Sequence, residues 1–156
     1  MESRRLTTYL DTSVIGGYFD VEFEDETKEL FQNIMLGKFE IMLSSTTEDE
    51  LLKAPEQVKE LFKTIPVKYA KRVELTEEAI QLAGAYISEN VAGGASQEDC
   101  RHIALAAVNK ADVLVSWNYK HMVNIFRIRG YNSVNLRLGY SLIDIRSPKE
   151  MFCHEN

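Results

Sequence analysis

Two kinds of apolar segment alternate along this chain, a short β-prone run and then a longer helical stripe. Residues 6–10 form a β-prone run that stops at Asp11, and Val14, Ile15 and Tyr18 follow as a helical turn. An acidic stretch, 20–26, leads into a helix with Leu30, Phe31, Ile34 and Met35 on its apolar face and Gly37 as its stop. A second strand at 40–43 runs into hydroxyl residues 44–47, which suit the cap of a helix over about 48–53 that ends before Pro55. The next helix starts at Pro55 with Val58, Leu61, Phe62 and Ile65 inward, and Pro66 breaks it.

An extended piece through Val73 and Leu75 precedes Thr76-Glu77-Glu78, a helix start with acids in its first turn. Ala79, Ile80, Ala83, Tyr86 and Ile87 carry that helix to Asn90. Residues 91–96 are the clearest loop, and Ser96-Gln97-Glu98-Asp99 has the form of a capping box. Cys100, Ile103, Ala104, Ala107, Val108 and Ala111 then make the strongest helical stripe, which predicts a core helix. Residues 113–115 are a fully apolar strand of the kind buried in a parallel sheet, ended by Ser116-Trp117-Asn118. Met122, Ile125 and Phe126 mark a further helix closed by Gly130, residues 142–145 a last strand, and Pro148 a short terminal helix. Strands alternating with helices predict one α/β domain over residues 1–156, a three-layer α/β/α sandwich with a mainly parallel, Rossmann-like central sheet.

Composition narrows the setting. No apolar run reaches membrane-spanning length and residues 1–5 are not followed by a signal-peptide core, so a cytoplasmic protein without a membrane partner is expected. Cys100 and Cys153 lack metal-type spacing and read as reduced thiols, Cys100 within the core. The net charge of −6 argues against nucleic acid at first sight. Residues 1–100, however, hold 10 basic and 20 acidic side chains and residues 101–156 hold 8 and 4, a net −10 followed by +4. Such asymmetry allows a local basic surface to face an anion.

The candidate chemistry lies in acids at strand and helix ends. A parallel sheet puts Asp11 and Asn118, each following a strand, on its carboxyl edge, where open α/β sheets bind ligands. Glu50 and Asp99, early in helices, point to the same edge. Capping accounts for either aspartate taken alone. Three uncompensated carboxylates brought together would raise one another's pKa, a cost that a divalent cation removes. Oxygen donors without a His/Cys cluster favour Mg²⁺ or Mn²⁺ over zinc, and such a site can polarise a phosphodiester and activate water.

Leu10-Asp11-Thr12-Ser13-Val14, residues 45–51 with Glu50, Asp99-Cys100-Arg101-His102-Ile103-Ala104-Leu105-Ala106, and Ala111-Asp112-Val113-Leu114-Val115-Ser116-Trp117-Asn118 resemble, in order, the successive motifs of PIN-domain proteins. That family includes ribonuclease toxins of VapC type, and the resemblance covers nearly the whole chain. It implies a metal-dependent endoribonuclease in which Asp11, Glu50 and Asp99 hold one or two Mg²⁺ or Mn²⁺ ions. The family's fourth acid usually follows a Thr or Ser by two positions; here Asn118 stands there and completes the catalytic set without adding charge. Thr12, Ser13, Ser116 and His121 would support the site, with Asn124 a further candidate to line it. The resemblance also implies an RNA substrate, a homodimer and a cognate antitoxin.

Other roles are open for several residues. His102 faces the same side as Asp99, but a lone histidine is more often a packed or surface residue than a ligand. Asp112, at the opposite end of its strand, reads as structural. Trp117, Tyr119 and Phe126 could stack on bases or belong to the core, and Lys120, Arg127, Arg129 and Arg137 are candidates for phosphate contacts. Two readings compete with the nuclease: a catalytically weakened PIN domain that binds RNA or protein, motivated by Asn118, and a phosphatase with Asp11 as nucleophile. The latter lacks a second acid where Ser13 stands.

Overall fold

The computed structural model describes residues 4–152, so Cys153 lies outside the described residues. The strands β1 (Leu6–Leu10), β2 (Phe39–Ser44), β3 (Ala70–Val73), β4 (Val113–Val115) and β5 (Asp144–Arg146) form one sheet in the order β3-β2-β1-β4-β5. Every pairing is parallel. The chain builds outward from β1 to β3 on one side and then returns to lay β4 against the other edge of β1. The strand order therefore reverses between β1 and β4, and a crevice opens there at the carboxyl ends of both strands.

Strand residues alternate between two buried faces, as a sheet covered on both sides requires. Tyr9, Met42, Leu114 and Ile145 pack under α5 (Glu77–Ser88), α6 (Gln97–Val108) and α7 (Ile125–Leu138). Leu10, Ile41, Val113 and Val115 face the opposite layer, with α1 (Thr12–Gly17), α2 (Glu24–Met35), α3 (Ser45–Leu51) and α4 (Glu56–Lys63). The expected three layers are thus present. The core helix is α6, whose run from His102 to Ala107 is buried throughout; its alanines allow close approach to the sheet and to α5. Cys100 is buried in this helix as a free thiol, and burial, aided by the charge of Asp99, pushes its pKa up to about 11.

Three boundaries differ from the sequence reading, each for a local reason. The Ser44 hydroxyl accepts the Thr47 N–H at 3.1 Å, so α3 begins at Ser45 and Glu50 falls in its last turn. Gly130 does not end a helix. It lets α7 pass close to the loop, since a Cβ there would come 2.9 Å from the Cβ of Val91, and the left-handed stop is Gly139, at φ +86°. Ile125 and Phe126 consequently sit exposed in the first turn of α7. The last strand starts at Asp144 because Asn132 takes both backbone groups of Ile143, accepting its N–H at 2.9 Å and donating to its carbonyl at 2.8 Å.

Glycine-to-alanine substitutions separate these roles. Gly84 lies exposed in α5 with open space at its Cβ position, so Gly84→Ala is expected to raise the unfolding free energy by about 1 kcal/mol. Gly130→Ala is expected to lower it. Urea denaturation of both variants provides the check, and a gain at Gly130 would contradict the close approach to Val91.

Candidate active site

Asp11 occupies the N-cap position of α1, yet its side chain makes no capping bond. Its Oδ2 instead accepts the hydroxyl protons of Ser13, at 2.7 Å, and Ser116, at 2.8 Å. Those hydroxyl oxygens in turn accept the N–H groups of Trp117 and Asn118, each at 3.0 Å. The Asp11 N–H continues the sheet by donating to the Val115 carbonyl at 3.1 Å. The loops after β1 and β4 are thereby laced across a carboxylate that is only 5% exposed, which satisfies one oxygen and leaves the other facing the crevice.

That second oxygen, Oδ1, lies 3.5 Å from Nε2 of His102, an imidazole 1% exposed on α6. The same Nε2 is hydrogen-bonded to the Glu50 carboxylate. On the ring's other edge Nδ1 is 2.6 Å from the Tyr9 hydroxyl, which is also 2.7 Å from Oγ of Ser44. Burial by itself would lower the His102 pKa, but the Glu50 hydrogen bond and the charges of Asp11, Glu50 and Asp99 outweigh it and raise the pKa above its ordinary value. Burial drives the Tyr9 phenol far upward, so it keeps its proton.

Asp99 stands one helical turn before His102. Its capping role is real: Asp99 N–H donates to Ser96 Oγ at 3.0 Å, and its Oδ2 accepts the Ser96 N–H at 3.2 Å. The same Oδ2 accepts from the side-chain amide of Asn118 at 3.4 Å. The carbonyl oxygen of Asn118 is turned instead to the His121 N–H, at 3.0 Å, so at this position the site receives a hydrogen-bond donor.

Other residues singled out in the sequence fall around this centre. The Oγ1 of Thr12 and Nδ1 of His121 are buried without a hydrogen-bond partner among the described residues. Asn124 caps α7 by accepting from the N–H groups of Phe126 and Arg127. Trp117 belongs to the core, stacked on Phe23 at 4.2 Å with its indole N–H donating to Thr27 at 2.9 Å. The Arg127 guanidinium lies over Gly93 and donates to the Val91 carbonyl at 3.2 Å, and Arg137 pairs with Glu89. Lys120 and Arg129 are exposed, as are Tyr119 and Phe126. Asp112 ties the chain start, accepting from Thr7 N–H and from Arg4, each at 2.8 Å. A cleft of about 470 Å³ opens beside Glu50, lined by Thr46, Lys53, Leu75, Glu98 and Arg101.

The donor set suits a hard divalent cation held loosely. Three carboxylates act on one imidazole, so even a protonated His102 leaves two negative charges uncompensated. Oδ1 of Asp99 takes no hydrogen bond among the described residues, and Oδ1 of Asp11 has only the 3.5 Å approach of His102. No three His, Cys, Asp or Glu side chains among the described residues are gathered tightly enough to cage an ion. One or two carboxylates supplemented by water and substrate phosphate are the usual surroundings of Mg²⁺, whereas zinc would need a closed protein shell. Sequence reasoning passed over Tyr9 and gave His102 a packing role. The signals were a hydroxyl two residues before Asp11 and a histidine three residues after Asp99, on the same helix face.

No family profile matches the sequence, and no curated protein sequence matches it. Solved structures do. VapBC2 from Rickettsia felis, bound to a DNA fragment from its promoter, aligns with a TM-score of 0.59 at 15% identity, covering 91% of this chain and 98% of its own. FitAcB from Neisseria gonorrhoeae gives 0.59 at 12% identity, covering 91% and 98%. The VapC20 toxin of Mycobacterium tuberculosis, which cleaves the sarcin-ricin loop, gives 0.59 at 11% identity, covering 72% and 91%. No described helix is long and apolar enough to cross a membrane. With its five parallel strands in this order and acids gathered at their carboxyl ends, the chain has the PIN-domain fold.

Proposed function

We propose that the protein is a divalent-cation-dependent endoribonuclease, the toxin of a toxin–antitoxin pair. The observation that carries this reading is the meeting of Asp11 and Glu50 on one buried imidazole at the β1/β4 crevice, with Asp99 one helical turn before it. The fold adds support, since a structure that shares it belongs to a toxin that cleaves the sarcin-ricin loop. Asp11 and Asp99 would hold Mg²⁺ or Mn²⁺ through the oxygens they leave free. When bound, the cation supplies Lewis acidity for attack of water on a phosphodiester, breaking one P–O bond. Ser13 and Ser116 fix the Asp11 carboxylate by donating to its other oxygen, and Asn118 steadies Asp99 without adding charge.

Exposed Lys120 and Arg129 would hold the RNA backbone beside the crevice. A cognate antitoxin and a second copy of this chain are the proposed protein partners, in the cytoplasm. Several fold neighbours are complexes of two proteins, and this chain keeps large apolar side chains such as Val21, Leu36 and Val67 exposed.

RNA cleavage by the purified protein is expected to require Mg²⁺ or Mn²⁺, to stop in EDTA and to fall to background in Asp11→Asn; cleavage that survives EDTA contradicts the proposal. Binding of RNA without cleavage in Mn²⁺ would favour a PIN domain that only binds. Lys120→Ala and Arg129→Ala are each expected to weaken RNA binding across sequences. Each should also flatten the slope of log K against log salt by about 0.7 to 1, read from titrations at several ionic strengths.

A further inference from the structure

We infer that His102 is the dedicated hydrogen-bond partner of Glu50, a positioning residue that keeps this carboxylate in a hydrogen bond of its own and leaves the cation to Asp11 and Asp99. The inference rests on the metal-dependent reading given above. It starts from the proton on Nε2. That nitrogen faces the Glu50 carboxylate and lies 3.5 Å from Oδ1 of Asp11. A bare lone pair there would point at the lone pairs of two carboxylates, so Nε2 carries hydrogen whether the ring is neutral or cationic.

The opposite edge of the ring closes on buried hydroxyls. Nδ1 lies 2.6 Å from the Tyr9 hydroxyl, which donates to Ser44 Oγ across 2.7 Å. Ser44 donates in turn to the Thr47 hydroxyl at 3.3 Å, and its oxygen caps α3 by accepting the Thr47 N–H. Tyr9, Ser44, Thr47 and His102 are all at most 1% exposed, and the Tyr9 and His102 rings meet edge to face with centroids 5.6 Å apart. The imidazole is therefore clamped with a proton toward the acids, and a protonated ring nitrogen is not a metal ligand.

Glu50 needs such a partner. Its side chain is 35% exposed, lies in the last turn of α3, and has no other hydrogen bond or ion pair among the described residues. Without His102 nothing would hold the carboxylate back from a cation at Asp11 and Asp99. The four positions expected from the sequence thus divide: Asp11 and Asp99 keep an oxygen free, Asn118 donates, and Glu50 is bound to an imidazole.

The test is Mn²⁺ titration calorimetry with RNA cleavage on the full chain, for wild type, His102→Leu, His102→Gln and Tyr9→Phe, with thermal melts to confirm folding. His102→Leu frees Glu50 and removes a donor that competes with the cation for the acid cluster, so Mn²⁺ binding is expected to tighten by about tenfold while cleavage falls. A merely structural role would weaken both together. His102→Gln restores an N–H toward Glu50, and its Mn²⁺ affinity is expected to return to within about twofold of wild type. Tyr9→Phe loosens the clamp and is expected to move affinity the same way as His102→Leu by a smaller factor; it carries the test if His102→Leu does not fold. Mn²⁺ binding that weakens in His102→Leu makes the imidazole a ligand and overturns the inference, as does binding that does not change. If wild type binds no Mn²⁺, the metal-dependent reading falls separately. Proton NMR of the histidine ring then decides the pairing. A protected Nε2–H signal that moves in Glu50→Gln and Tyr9→Phe upholds it, and absence of that signal overturns it.

Discussion

A carboxylate at the end of a central buried strand has to be satisfied where it stands, and much of this molecule follows from how Asp11 is. Its backbone extends the β1–β4 pairing by one residue, and its Oδ2 gathers the hydroxyl protons of Ser13 and Ser116. Each serine then accepts an N–H from the loop after β4. A hydrogen bond to a charged group contributes about 1.5–3 kcal/mol where a neutral one contributes about 1. The acid therefore fixes both loops at the crevice as firmly as the loops fix the acid. The strand order β3-β2-β1-β4-β5 supplies the place, because only the reversal at β1/β4 leaves an open edge between neighbouring carboxyl ends.

The second constraint is charge. Asp11, Glu50 and Asp99 come from a strand end and two helices of different layers, and the first two meet at one imidazole whose pKa all three raise. Behind that ring Tyr9 and Ser44 sit fully buried and hold it in place, the Tyr9 hydroxyl 2.6 Å from Nδ1 and donating to Ser44. Asn118 fits the same economy of charge. An acid there would add repulsion beside Asp99, whereas the amide donates to it and turns its oxygen to the His121 N–H.

Most of the fold was legible because hydrophobic pattern and end signals agreed: the β-prone run of β1 stopped by Asp11, the apolar run of β4, the Ser96–Asp99 box and the stripe of α6 each pointed one way. Failures came where a residue with a strong local habit was used for a tertiary contact. Gly130 reads as a helix stop and is a point of close packing against Val91, and Ile143 reads as strand but gives its backbone to Asn132. At the site, the four positions were expected from strand and helix ends and, for Glu50 over Asp49, from the PIN-domain resemblance, while the way their side chains meet was not legible. Which oxygen of Asp11 is free, which end of Asn118 faces Asp99, and that Glu50 meets His102 all depend on side-chain orientation across elements 19 to 105 residues apart in the chain.

The central claim is that this crevice holds a divalent cation on Asp11 and Asp99 while Glu50 stays with His102. The most direct measurement is a crystal structure of the protein soaked in Mn²⁺, with the ion placed by its anomalous signal. The account predicts an ion touching Asp11 and Asp99, completed by water, with His102 still hydrogen-bonded to Glu50. An ion ligated by Nε2 of His102, or a crevice without manganese at saturating concentration, would contradict it.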